Sequence, residues 1–200
     1  MAIGTIADIK TLLGISVSTY DDVLTLLLNA AEARLKKFTG RIFEVDDYTE
    51  TYDGSDLYSG RVSTLIFNLY LDNWPINTVS SLAQNGTTII AAVAYSDTGY
   101  RIYGTEEEDG RIHYTGGFVR GLKNIAITYN GGYSSDDMPE DLKMSLYQLV
   151  SQIYQTRLSQ GMTEMEQGLY RIKMIEELSK AALPAGVKRT WLDYKRTIIL

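Results

Sequence analysis

The chain has 200 residues, 44% of them hydrophobic, with no cysteine and one histidine, which excludes disulfides, thiol nucleophiles and thiolate metal sites. The net charge of -6 disfavours a protein that reads nucleic acid, because gripping a phosphate backbone needs clustered Lys and Arg. No run approaches the roughly 20 apolar residues of a membrane span, and Met1 to Lys10 lack the order of a signal peptide, so an intracellular product is expected.

Two helices are predicted before residue 40. Thr5 followed by Asp8 is a capping start for a short helix over residues 5–14. A second helix is expected over 19–39, where acids follow Ser18 and Thr19 by three residues and a glycine follows the end. Its apolar residues cover a wide arc, which indicates a central and mostly buried helix. They are Val23, Leu24, Leu27, Leu28, Ala31, Leu35 and Phe38.

The pattern changes from helical to alternating after Gly40, and Tyr, Thr, Ile and Val become frequent between turn signals. Residues 41–132 are therefore predicted to form a β-rich domain, inserted into a helical bundle made of 1–40 and 133–200. Asn85-Gly86 is the strongest hairpin signal, and Gly116-Gly117 indicates another reversal. Seven strands are expected, near residues 45–52, 63–70, 76–83, 87–95, 99–103, 111–115 and 123–129.

A third helix is predicted over 137–158, because acids at its start and Pro139 at the first helical position favour initiation there. Leucines and other aliphatic residues from Leu142 to Ile153 form one apolar stripe, typical of a core-facing helix. A second stripe lies on the far side, and we expect it to pack against another helix of the chain or a neighbouring subunit. Its residues are Met144, Tyr147, Tyr154 and Leu158.

Two further helices are predicted toward the C-terminus. A capping box at Thr163 and Glu166 favours a helix over 163–182, although Gly168 weakens it by about 1 kcal/mol relative to alanine. The last segment is expected to be a helix with an apolar face that ends in an apolar tip, which a monomer has little reason to expose. We predict that this segment docks on another protein or a neighbouring copy through Trp191, Tyr194, Ile198, Ile199 and Leu200.

The sequence offers little for catalysis, and we expect neither a metal nor a cofactor. A serine–histidine–aspartate relay would need His113, which lies in the alternating segment RIHYT and is interpreted as a half-exposed strand residue. Asp46, Asp47 and Glu50 could act as an acid–base pair in a small glycosidase, but solvated carboxylates are the preferred interpretation.

Two other features allow a binding function. An acidic run is interpreted as a solvated hairpin tip, or as a projection toward a basic partner or a DNA channel. The ten tyrosines between Tyr48 and Tyr133 could form a stacking platform for carbohydrates, although ordinary strand packing is preferred. The acidic run consists of Glu106, Glu107, Glu108 and Asp109.

Six patterns in order resemble the head-tail connector, or adaptor, proteins of long-tailed bacteriophages. None of the patterns is a chemical signature by itself, so the resemblance is specific only because all six occur together and in this order. They are TIADIKTLLGI, RLKKFTGRIF, WPINTVSSLAQNG, NIAITYNGGY, MPEDLKMSLYQLVSQIYQTR and LPAGVKRTWLDYKR.

The resemblance implies an α+β fold, a helical bundle with an inserted β part, assembled as a homo-oligomeric ring that is dodecameric in the virion. One side of such a ring meets the portal protein and the other meets a stopper or tail-completion protein. Genomic DNA passes through the middle without sequence-specific binding. The expected location is the neck of a virion, after synthesis in the host cytoplasm. A carbohydrate-binding β module and a small glycosidase are the alternatives.

Overall fold

The computed structural model describes residues 3–54, 65–94, 96–103, 110–156, 164–167, 170–173 and 183–195. The helices are α1 (Ile6–Leu13), α2 (Asp21–Thr39), α3 (Glu140–Thr156) and α4 (Ala185–Asp193). The strands are β1 (Asp46–Tyr52), β2 (Leu65–Tyr70), β3 (Ile76–Gln84), β4 (Thr87–Thr88), β5 (Tyr100–Tyr103), β6 (Arg111–Val119), β7 (Ile125–Gly131), β8 (Glu164–Gln167) and β9 (Tyr170–Lys173). The predicted α+β class, with a β-rich insertion between the second and third helices, is confirmed.

The chain divides into two compact units. One, the β unit, is Gly40–Asp137, and the other, the helical unit, combines Ala2–Thr39 with Met138–Lys195. Within the residues that the structure describes, no helix is both long enough and apolar enough to cross a membrane.

The β unit contains two antiparallel sheets with the strand orders β1-β7-β3-β4 and β2-β6-β5. In β7, alternate side chains point to the core, so Ile125, Ile127 and Tyr129 are buried while Ala126 is exposed. Residues from both sheets form one hydrophobic cluster, which is why the unit has a single core. The buried members are Leu69, Leu71, Ile76, Leu82, Ile89, Ile112, Phe118, Ile125, Ile127 and Tyr129.

The hairpin predicted at Asn85-Gly86 is confirmed. Both residues have positive φ, 49° and 77°, as a two-residue turn of the type favoured by Asn-Gly requires. The following strand is much shorter than expected, because the chain leaves this sheet after Ile89 and bridges to β5. There the Tyr100 amide donates to the Ile90 carbonyl, and the Ala92 amide donates to the Tyr100 carbonyl.

The Gly116-Gly117 pair is not a reversal, as the sequence suggested, but lies inside β6. The pairing of β2 with β6 is irregular between Ile66 and Asn68, and Gly117 has a φ of 74°. Glycines inside a strand often mark such a bulge, because a side chain would not fit. A Cβ on Gly116 would lie 2.4 Å from the Tyr114 hydroxyl.

The capping residues of α1 act as predicted. The Thr5 hydroxyl accepts a hydrogen bond from the Asp8 amide at 3.2 Å, and Gly14 ends the helix with a φ of 67°. In α2, the charged residue Glu32 is only 8% exposed. Its carboxylate accepts from the amides of Ile3 and Gly4, so it anchors the segment that precedes α1.

The helix predicted over 163–182 is wrong where the structure describes this region. Glu164–Gln167 and Tyr170–Lys173 are antiparallel strands instead, with Met165 opposite Ile172. The sequence between them offers the physical reason. Gly168 disfavours a helix by about 1 kcal/mol relative to alanine, and the helical spacing of the apolar residues does not offset this cost.

Candidate functional site

The second stripe of α3 begins with Tyr147, which packs inside the helical unit. Its side chain is 6% exposed. Its hydroxyl donates to the Asp8 carboxylate at 2.9 Å and accepts from the Thr5 amide at 3.1 Å. Burial raises the pKa of the Tyr147 hydroxyl, while hydrogen bonds from Thr5 and then Tyr147 lower the pKa of Asp8. The hydrogen bonds of Tyr147 therefore join α3 to the N-terminal end of α1.

Tyr154 also has a partner within the chain. It is 8% exposed and meets the ring of Tyr20 edge to face, with centroids 5.9 Å apart. For Tyr147 and Tyr154, the structure favours the alternative in which another helix of the same chain covers the stripe. Met144 differs, since it is 45% exposed. Leu158 lies outside the described residues.

Trp191 in α4 is fully buried, although the sequence suggested that it reaches for another protein. Its Nε1 donates to the Ser145 hydroxyl of α3 at 2.9 Å, and its ring packs against Phe38 of α2 at 5.8 Å. Tyr194, at the end of α4, donates from its hydroxyl to Asp141 at 2.7 Å. Helix α4 is therefore part of the helical core. Ile198, Ile199 and Leu200 lie outside the described residues, as do Glu106 to Asp109.

A polar cluster in the β unit was missed by sequence reasoning. The Glu50 carboxylate accepts hydrogen bonds from the Tyr129 hydroxyl at 2.9 Å, from Asn73 Nδ2 at 3.1 Å and from the Tyr52 hydroxyl. The Tyr129 hydroxyl also accepts from the Asn73 amide at 3.1 Å. Glu50 thus ties β1 to β7 and to the turn after β2. No local sequence signal marks Asn73 and Tyr129 as partners of Glu50, because the fold brings them there from distant positions in the chain.

The tyrosines of this cluster remain protonated donors near neutral pH. Burial, followed by the Glu50 charge, raises the pKa values of Tyr52 and Tyr129 far above the ordinary tyrosine value. On the same face of β1, burial raises the pKa of Tyr48 to about 12. These rings pack against the core between the sheets, together with Tyr100 and Tyr114, so they do not form an exposed stacking platform.

Three carboxylates proposed for hydrolysis do not form a catalytic pair. Asp47 and Glu50 lie on opposite faces of β1, because side chains alternate along a strand. Asp46 shares a face with Glu50 but is four residues away, about 13 Å along a strand, whereas glycosidase carboxyls lie about 5 to 9.5 Å apart. His113 is half-exposed, as predicted, and its Nδ1 lies 3.0 Å from Asn68 Oδ1.

Exposed apolar side chains indicate where the chain could meet other proteins. On α2, Val23 and Leu26 are 41% and 69% exposed. In the β unit, the crossing between the two sheets exposes Ile90 and Val93, at 71% and 97%. Singly exposed apolar residues are ordinary, but groups of them mark interaction surfaces. Among the described residues, these exposed apolar side chains are therefore candidate contact surfaces for other proteins.

Residues 3–69 match the sequence model of the family described as phage gp6-like head-tail connector proteins. The match covers α1, α2 and the first two strands of the chain. The resemblance found from the sequence is confirmed over these residues. No curated protein sequence matches the chain.

Solved structures with a similar fold cover most of the chain's length. A chain in the neck of an empty GTA particle, computed with C6 symmetry, is 18% identical, with a TM-score of 0.55 over 97% of this chain and 90% of that one. A chain in the neck of a native GTA particle, computed with C12 symmetry, is 18% identical, with a TM-score of 0.51 over 89% and 84%. A chain in the virion of a native gene transfer agent particle is 17% identical, with a TM-score of 0.55 over 97% and 90%. At these identities, the likeness shows a shared fold.

Proposed function

We propose that this chain is a non-enzymatic structural adaptor of the neck of a phage-like particle. Copies form a ring beneath the portal protein, dodecameric in the virion, which joins the capsid to a stopper or tail-completion protein. The match of residues 3–69 to head-tail connector proteins carries the proposal. It is supported by the shared fold with chains from particle necks, whose reconstructions have sixfold and twelvefold symmetry.

The charge of the chain supports a passive role toward DNA. With 19 Lys and Arg against 25 Asp and Glu, the protein has no excess of cations to hold a phosphate backbone. An acidic wall repels DNA and so lets it slide through a channel. We propose that the acidic run Glu106 to Asp109 faces this passage or a basic partner protein.

The apolar C-terminal tip is proposed as the element that docks on the portal protein or on the neighbouring copy. Ile198, Ile199 and Leu200 follow Lys195, the last residue that the structure describes. Trp191 is committed to the core of the helical unit, so a deletion that includes α4 would damage the fold. A truncated chain that ends at Lys195 lacks the apolar tip but keeps α4. It therefore tests docking without removing Trp191 from the core.

Co-sedimentation with the portal ring of the same particle tests the function. We expect the full chain to sediment with the portal ring, and the truncated chain of residues 1–195 to bind at least tenfold more weakly with an unchanged circular dichroism spectrum. Serum albumin at equal concentration is the control for protein that is carried into the pellet without binding the portal ring. If the full chain stays in the supernatant at every concentration below precipitation, the adaptor function is contradicted. If both forms bind equally, only the role of the tip is wrong.

A further inference from the structure

The outward face of the sheet β2-β6-β5 carries aromatic and cationic side chains. In β6, Arg111 and His113 lie on either side of Ile112, which is buried in the core between the sheets, so both point outward. In β5, Arg101 and Tyr103 alternate with residues that pack against the same core, and they also point outward. This face of the sheet is therefore turned away from the core of the β unit.

The strand register places these side chains next to one another. His113 lies opposite Arg101 in β5 and opposite Asn68 in β2, and its Nδ1 is 3.0 Å from Asn68 Oδ1. Arg111 lies opposite Tyr103, and its guanidinium carbon is 4.9 Å from the centroid of that ring. We call this surface the aromatic-cationic face. It consists of Phe67, Asn68, Arg101, Tyr103, Arg111 and His113.

The rings of the aromatic-cationic face are open to solvent. Phe67 and Tyr103 are 44% and 40% exposed, and their ring centroids lie 6.3 and 6.2 Å from that of His113. Exposed aromatic side chains that are grouped together mark interaction surfaces. They also offer a large contact area at a low cost in conformational entropy. This face is therefore suited to contact with a partner.

The charge of the aromatic-cationic face is opposite to that of the whole protein. None of its three strands contains Asp or Glu, whereas the chain has a net charge of -6. Arg101 and Arg111 are diagonal neighbours on adjacent strands, about 7–8 Å apart. Among the residues that the structure describes, no carboxylate forms an ion pair with Arg111. Like charges at this spacing repel each other, so an anionic group bound between them is favoured.

We propose that the aromatic-cationic face binds a segment of another protein that presents Asp or Glu side chains. A guanidinium group can hold a carboxylate through two parallel hydrogen bonds, and the Tyr103 ring supports Arg111 for this contact. The other rings cover the apolar parts of the segment. A long phosphate backbone fits less well, because it would also meet the acidic remainder of the chain. This proposal goes beyond the adaptor function and does not depend on it.

Titration of the full chain with a blocked hexaglutamate peptide tests the proposal. His113 is the only histidine in the chain, so its ring signals in an NMR spectrum report on this face. We expect the peptide to shift these signals, and an uncharged hexaglutamine peptide to leave them in place. Fluorescence anisotropy of the labelled peptide gives the dissociation constant, which should rise with salt concentration because salt screens exposed charges.

Arg111→Gln and Lys188→Gln form a matched pair, because each removes one positive charge. Lys188 is exposed on α4, in the helical unit. We expect R111Q to weaken peptide binding at least about fivefold and K188Q less than about twofold, the cost of losing one charged hydrogen bond against that of a distant charge. R111K keeps the charge but lacks the planar fork, so it should fall between the two. Circular dichroism confirms that each variant is folded.

Three outcomes would overturn the proposal. The first is an absence of His113 shifts at saturating peptide, or equal weakening in R111Q and K188Q. The second is tighter binding of a single-stranded thymidine oligonucleotide that also shifts His113, which would make the face a nucleic-acid site.

The third outcome concerns the acidic run Glu106 to Asp109, which connects β5 to β6 in the chain and lies outside the described residues. If the peptide binds only to the variant E106Q/E107Q/E108Q/D109N, the chain's own acidic run occupies the face and no external partner is needed. The portal experiment decides the adaptor function separately in every case.

Discussion

Replacing Trp191 with alanine is expected to lower the unfolding free energy of the helical unit by about 3–5 kcal/mol, the usual loss for a buried tryptophan. The ring is fully buried and packs against Phe38. The variant also deprives the buried Ser145 hydroxyl of its indole donor. Urea unfolding followed by circular dichroism at 222 nm, where helices dominate the signal, measures the loss.

Leu192 provides a matched control for Trp191, because it is the next residue of α4 and is 48% exposed. Leu192→Ala should change the unfolding free energy by less than about 1 kcal/mol, as is usual for exposed positions. Equal losses in W191A and L192A would mean that α4 does not pack through the Trp191 side. The prediction that Trp191 docks on another protein or a neighbouring copy would then gain support.

Replacing Glu50 with alanine is expected to lower the unfolding free energy of the β unit by about 2–3 kcal/mol. The variant leaves the hydroxyls of Tyr52 and Tyr129 and the Asn73 amide group without their shared acceptor. Because Glu50 is half-buried, water can hydrogen-bond to some of the groups that lose this acceptor. The expected loss of unfolding free energy is therefore closer to about 2 than to 3 kcal/mol, the range given above. Trp74 lies beside Asn73, so tryptophan fluorescence reports unfolding of this unit.

The fluorescence measurement is cleanest in a W191F background, where Trp74 is the one remaining tryptophan of the two in the chain. Asp47→Ala is the control for Glu50. Asp47 lies on the same strand but is exposed and accepts from Asn130 at 2.8 Å, so its loss should stay below about 1 kcal/mol. Glu50→Gln keeps one acceptor oxygen and should fall between the two. An E50A variant as stable as D47A would refute the structural role of the cluster.

The sequence predicted the features that depend on neighbours along the chain. The cap at Thr5, the end of α1 at Gly14 and the Asn85-Gly86 hairpin follow from local backbone preferences. The same local reasoning was wrong over Glu164–Gln167 and Tyr170–Lys173, where apolar residues at a helical spacing lie in paired strands. Short apolar runs satisfy both patterns, and the choice then depends on tertiary contacts.

Partners that are distant along the chain could not be predicted in this way. Trp191 and Ser145 are 46 residues apart, and Glu50 and Tyr129 are 79 apart. The hydroxyl of Ser145, a polar residue of α3, is the acceptor that allows the indole of Trp191 to be buried. The apolar pattern of Tyr147 and Tyr154 predicted burial correctly but could not distinguish a neighbouring helix from a neighbouring subunit.

A cryo-EM map of particles that contain this chain tests the central claim most directly. We expect a ring of copies of this chain between the portal and the tail. Density for the chain at any other place, such as the capsid surface or the tail tip, would contradict the adaptor function.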